Sequence, residues 1–178
     1  YDGRNREPVA LPAKLPLLLM LRVGGIDARR SLGLRPPGWG NVAIAMLTAV
    51  ALLILSHAAI EALPPAPLSE TLEKALEPIK EAVNPARPVV AVAACLLMAG
   101  LAPLCEELAF RGFLLSAFRP VVGTAVAVAG PALLFGLLHH GLSRSCVLAG
   151  VGIAFGVMAV RTGSVWTAVA AHATNNGV

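Results

Sequence analysis

The sequence predicts an all-α, polytopic transmembrane helix bundle with a polar site in the membrane interior, and three observations carry that expectation. Hydrophobic residues make up 57% of the 178 and charged residues only 13%, about half the ~25% charged content of soluble domains, and the mean hydropathy is +0.76. The apolar residues come in runs approaching or exceeding the ~20 needed to cross a bilayer as a helix. Those runs are interrupted at a few places by Glu106, Glu107, Arg111, His139, His172 and Asn176. An ionisable side chain at membrane depth costs at least ~2.5–3.5 kcal/mol, so a residue kept there is paired or performs chemistry.

Residues 1–40 form an N-terminal segment whose one apolar stretch, 15–21, is too short to span; an interfacial placement is expected. It carries Arg4, Arg6, Lys14, Arg22, Arg29, Arg30 and Arg35, half of the fourteen Lys and Arg residues. A basic excess ahead of the first span predicts a cytoplasmic N-terminus in a bacterial cytoplasmic membrane, the Ala-, Gly- and Arg-rich composition suggesting the source. Nucleic acid is set aside as a partner, because aromatics amount to only 4% and are not interleaved with the basic residues. The lipid bilayer is the expected surrounding.

Residues 41–87 hold the first span, 41–63, in which His57 and Glu61 read as a local pair near the membrane face, and a connecting segment. Pro64, Pro65 and Pro67 end the span. Ser69 then offers an N-cap for an amphipathic helix with Leu72, Leu76, Ile79 and Val83 on one face, lying on the membrane surface or capping the bundle.

Residues 88–178 form the core. Continued as one helix, the 31 residues of 88–118 would be ~46 Å long, beyond a ~30 Å hydrocarbon core. A bend is expected at Pro103, which would set both glutamates near the start of a new helix. Spans follow at 121–140, with a kink at Pro131, and at 146–160, where Gly150, Gly152 and Gly156 permit close packing. A turn at 161–164 leads to a last helix from Val165, and the chain stops inside that helical pattern, so a further span is expected to be missing. Cys95, Cys105 and Cys146, odd in number and without metal-type spacing, read as small buried hydrophobes.

On a helix, residues four apart share a face, so Glu107 meets Arg111 in the favourable order, an ion pair that supports structure. Glu106 points about 100° away from Glu107. It is the carboxylate left without a counter-charge, free to take and give a proton. His139, with Phe135 one turn before it, and His172, with Asn176 one turn after it, come from other helices. Together they offer a base, an orienting ring and donors for a developing oxyanion. The same atoms admit other readings. Glu106, His139 and His172 would furnish three ligands of an open divalent-metal site, although no HExxH is present. Cys105 beside His139 would be a poorer nucleophile, next to a carboxylate. His172 and Asn176 would also serve as interhelical hydrogen-bond glue.

Three motifs in order, Glu106-Glu107-Leu-Ala-Phe-Arg111, Phe135-Gly-Leu-Leu-His139 and His172-Ala-Thr-Asn-Asn176, resemble the EExxxR, FxxxH and HxxxN motifs of the CAAX-protease and bacteriocin-processing (CPBP, or Abi) family of intramembrane endopeptidases. The resemblance covers residues 88–178. It implies a helical bundle with a membrane cavity and hydrolysis of a membrane-associated peptide or protein, CAAX-like or bacteriocin-like, by glutamate-activated water without a cofactor; a divalent metal is the second choice. It further implies that Glu106 and His139 activate water, that His172 and Asn176 stabilise the oxyanion, and that Glu107 and Arg111 support them. Bacterial relatives linked to self-immunity or scaffolding make a non-enzymatic membrane protein the alternative. Counting spans from a cytoplasmic N-terminus places the site nearer the cytoplasmic leaflet.

Overall fold

The computed structural model describes residues 32–62, 88–139 and 142–177, together with Arg29, Lys74, Glu77, Pro78 and Glu81. All named elements are helical: α1 (Trp39–Glu61), α2 (Pro88–Leu96), a π-helical segment (Leu97–Leu101), α3 (Ala102–Glu107), a second π-helical segment (Leu108–Leu114), α4 (Leu115–Leu137), α5 (Leu142–Thr162) and α6 (Val165–Gly177). Among the described residues, three stretches are long and apolar enough to cross a membrane: Trp39–Glu61, Pro88–Leu137 and Arg144–Thr162. Their outward surface is itself apolar, with Ile44, Leu47, Val89, Leu96, Val121 and Leu137 exposed. The molecule is an integral membrane helix bundle. The interfacial reading of 15–21 and the amphipathic helix from Ser69 lie outside the described residues.

The expected bend at Pro103 is not a break. Pro103 is buried at the first turn of α3, and the preceding residues keep right-handed helical angles. A proline ring collides with the carbonyl four residues earlier, here Ala99, which lies in the first π segment. Widening that turn moves the carbonyl off the ring and lets the helix continue. A kink lies within α4 at Gly123, near the expected start of the span at 121, with φ 79° and ψ 167°, a conformation open to glycine and costly for any residue with a Cβ. Pro131 lies inside the α4 helix without a departure from helical angles. The three cysteines also depart from expectation, since Cys95, Cys105 and Cys146 are exposed. In a bilayer an apolar side chain gains little by facing inward, so small hydrophobes sit on either side of a helix.

Tight backbone approach holds the bundle together. A Cβ added at Gly136 would collide with the Ser145 carbonyl and come within 3.0 Å of Ala149; at Gly152 it would press on Ala132, and at Gly156 on Val128. These pairs run α4 antiparallel to α5. Ala45 and Ala49 of α1 pack with Ala168 and Ala171 of α6 and with Val151, Phe155 and Ala159 of α5. At one end, a short N-terminal arm crosses the α5–α6 turn. Val165 N–H donates to the Gly33 carbonyl at 2.9 Å, Ser164 Oγ donates to the Arg35 carbonyl at 2.6 Å, and the Leu32 carbonyl lies against Gly112. Gly33 and Gly163, both at φ 63°, make the two crossing turns. From that end α1 and α6 run together, and Gly177 reaches Ala99 at the far end.

Candidate active site

The first π segment and α3 deliver two adjacent carboxylates with different surroundings. Glu107 is fully buried. Its Oε1 accepts from Arg111 Nη1 at 2.7 Å and from His172 Nδ1 at 2.8 Å. The second π segment begins just after Glu107, and its wider turn brings position i+4 closer to eclipsing i than an α turn would. Arg111 then donates through Nη2 to the Gly152 carbonyl at 2.7 Å, tying α5 to the pair. Its guanidinium lies over three rings, Phe110, Phe135 and Phe155, at 5.8, 5.2 and 5.7 Å from their centroids. The aromatic faces supply the negative potential that water would otherwise give a buried cation.

The expected ion pair of Glu107 with Arg111 is present, but Glu107 does more than neutralise the arginine. Reading by helical angle assigns Glu106 and Glu107 to different neighbours; the structure turns both toward one imidazole. While Glu107 holds His172 Nδ1, Oε2 of Glu106 stands 3.8 Å from His172 Nε2. That distance is too long for a direct hydrogen bond. The Glu106 side chain is 39% exposed against 6% for His172, and both line a cavity of about 290 Å³. A carboxylate can only accept, so His172 carries its proton on Nδ1 and presents Nε2 to the cavity.

His139 follows the last turn of α4, and its Nδ1 lies 2.8 Å from the Phe135 carbonyl. Because a carbonyl only accepts, that nitrogen is the protonated one and Nε2 keeps its lone pair. The ring leans on Phe135 at 4.8 Å between centroids, and Phe135 also meets His172 edge-on at 5.6 Å. One aromatic side chain therefore spaces the two imidazoles. Ser145 Oγ donates to the His139 carbonyl at 2.7 Å, tying His139 to the start of α5. Among the described residues His139 makes no hydrogen bond or ion pair with Glu106, although both line the cavity. Asn176 lines it as well, donating one amide hydrogen to the Met98 carbonyl in the first π segment at 3.1 Å. Its second amide hydrogen has no acceptor among the described residues.

Four further polar residues line the cavity that the sequence reading did not assign to the site: Ser56, His57, Arg144 and Asn175. His57 forms no ion pair with Glu61 among the described residues; it faces the site, so α1 is a wall of the cavity. A histidine on an otherwise apolar span was a signal of this, since the membrane penalty applies to it as to the others. Asn175 Oδ1 and Glu107 Oε2 are buried without a hydrogen-bond partner among the described residues. The exposed mouth residues His57, Arg144 and Asn176 belong to the ends of α1, α5 and α6 away from the arm. The cavity thus runs from the centre of the bundle toward the far end, not toward the arm's end as span counting suggests. Among the described residues no three His, Cys, Asp or Glu side chains come together as a metal-holding set.

Comparison with known proteins adds to this geometry. The family model described as "Rce1-like: Type II CAAX prenyl endopeptidase Rce1-like" matches residues 88–178. The protein named "Uncharacterized protein YyaK" of Bacillus subtilis (strain 168) is 35% identical over 106 residues, which is 52% of this chain and 34% of that protein. The chain therefore spans about a third of the length of this curated relative. No solved structure matches it.

Proposed function

Because the chain belongs to the Rce1-like family of type II CAAX prenyl endopeptidases, we propose that it is an intramembrane endopeptidase that cleaves a membrane-associated, CAAX-like or bacteriocin-like substrate with water activated by Glu106. The observation that carries this reading is the division of labour around His172. The buried Glu107 orients the ring through Nδ1, and the half-exposed Glu106 faces Nε2 across the cavity. A carboxylate held open to a cavity beside an oriented imidazole is suited to proton transfer rather than to packing.

In this mechanism a water molecule bound at Glu106 also donates to the lone pair on His139 Nε2. As its oxygen bonds to the substrate carbonyl carbon, Glu106 takes its proton and the carbonyl oxygen becomes the oxyanion. His172 Nε2–H and the free amide hydrogen of Asn176 donate to that oxygen. His172 donates there only when its ring bears both protons. That charge, with Arg111, balances the two carboxylates, so the buried set is neutral overall. On collapse the C–N bond breaks and Glu106 gives its proton to the leaving nitrogen. No step uses a cofactor. The competing arrangement, a divalent metal held by Glu106, His139 and His172, predicts loss of activity with phenanthroline, whereas the glutamate mechanism predicts none.

The test is cleavage of a membrane-anchored peptide by purified wild type and by Glu106→Gln. Turnover should fall by several orders of magnitude in the variant while its thermal midpoint stays unchanged. Equal cleavage by both proteins, or none by the wild type over a panel of lipidated and unmodified peptides, would favour the alternative of a non-enzymatic immunity or scaffold protein.

A further inference from the structure

The seam between α1 and α5 holds a second cavity, of about 410 Å³, on the arm side of the bundle. It shares no described lining residue with the cavity at Glu106. Its lining is graded along the helices. Asn41 of α1 and Arg161 of α5 stand at the end beside the arm, and Ile44, Ala45, Val157 and Met158 follow inward over about two helical turns. The lining hydroxyls are already engaged, Thr48 with the Ile44 carbonyl, Thr162 with the Met158 carbonyl and Thr167 with the Ser164 carbonyl. Arg161 is exposed and has no hydrogen bond or ion pair among the described residues. Among the described residues no acidic side chain lines the cavity.

We infer that this cleft binds an anionic glycerophospholipid, with the phosphate at Arg161 and Asn41 and an acyl chain along Ile44, Val157 and Met158. Trp39, 87% exposed in the first turn of α1, marks the level at which headgroups meet water. At that level an unpaired guanidinium attracts an anionic headgroup. Position in the last turn of α5 accounts for a cation through the negative end of the helix, but not for the apolar cleft beside it. A small water-soluble anion would leave that cleft unused, and a partner helix would need a groove longer than two turns.

The experiment is native mass spectrometry of the full chain in non-ionic detergent, with phosphatidylglycerol, phosphatidylcholine or glycerol 3-phosphate added at equal concentration. Phosphatidylglycerol adducts should exceed phosphatidylcholine adducts about five- to tenfold, with none for glycerol 3-phosphate. Arg161→Gln should bring phosphatidylglycerol down to the phosphatidylcholine level. Ile44→Ala, which keeps the lipid-facing side of α1 apolar while removing most of the packing surface for an acyl chain, should reduce both lipids. Equal adducts of the two lipids in the wild type, undiminished phosphatidylglycerol on Arg161→Gln, or glycerol 3-phosphate binding as well as the lipid would each overturn the assignment.

Discussion

Glu107 is the residue on which the geometry of the site turns, because one of its oxygens serves both Arg111 and His172 while the residue is fully buried. Glu107→Gln keeps the shape and removes the charge, leaving Arg111 buried without a counter-ion. Breaking a buried pair in this way costs ~3–5 kcal/mol, which at about 2–4 °C per kcal/mol is a fall of roughly 10 °C in thermal midpoint. Adding Arg111→Met should restore much of that stability, since the uncompensated charge is gone. Proteolysis should remain low in the double variant, because His172 has lost the group that orients it. Thermal melts and peptide cleavage on the same preparations check both parts. At this scale the sequence was largely legible. Six polar residues in apolar runs declare themselves through their cost, and the i,i+4 rule pairs Glu107 with Arg111 correctly. The second duty of Glu107 was not legible, because it depends on where α6 crosses α3, a tertiary fact that helical angles within one element do not contain. The aromatic surround of Arg111 was hidden for the same reason: Phe110, Phe135 and Phe155 come from three separate segments.

Helices here are shaped by departures from α geometry as much as by their regular turns. The π segment before Pro103 lets a proline sit inside a long helix and places the Met98 carbonyl where Asn176 reaches it. Pro103→Ala removes the ring that opposes the Ala99 carbonyl, so the turn is expected to relax toward α geometry. Amide exchange across residues 97–102 should slow, and peptide cleavage should fall as Asn176 loses its anchor; unchanged exchange would mean that another contact sets the turn. Sequence patterns recognise proline as a breaker but give no weight to a widened turn that absorbs it, which is why a bend was expected at Pro103 that the helix does not show, while the kink at Gly123 falls near the expected start of the span at 121. Boundaries elsewhere were readable, because Gly163 lies just past the end of α5 and supplies the left-handed turn into α6.

The whole molecule has two unlike ends. One gathers the N-terminal arm, Arg161 and the α5–α6 turn; the other gathers His57, Arg144 and Asn176 around the cavity mouth. If the basic arm is cytoplasmic, as its charge predicts, the mouth opens toward the opposite leaflet. Single cysteines at Arg161 and Arg144, in a background with Cys95, Cys105 and Cys146 replaced by alanine, test this. In intact cells a membrane-impermeant maleimide should label Arg144→Cys and spare Arg161→Cys, and the reverse pattern would place the mouth inside. Family membership covers only residues 88–178, yet α1 walls the cavity, so the site is a product of the larger assembly. Five of the seven buried residues in the central cluster are alanine, and that choice inverts the usual direction of mutational fragility. Trimming such a seam removes almost nothing, whereas a single added isobutyl group would wedge α1 away from α6 and unroof the chamber beneath it.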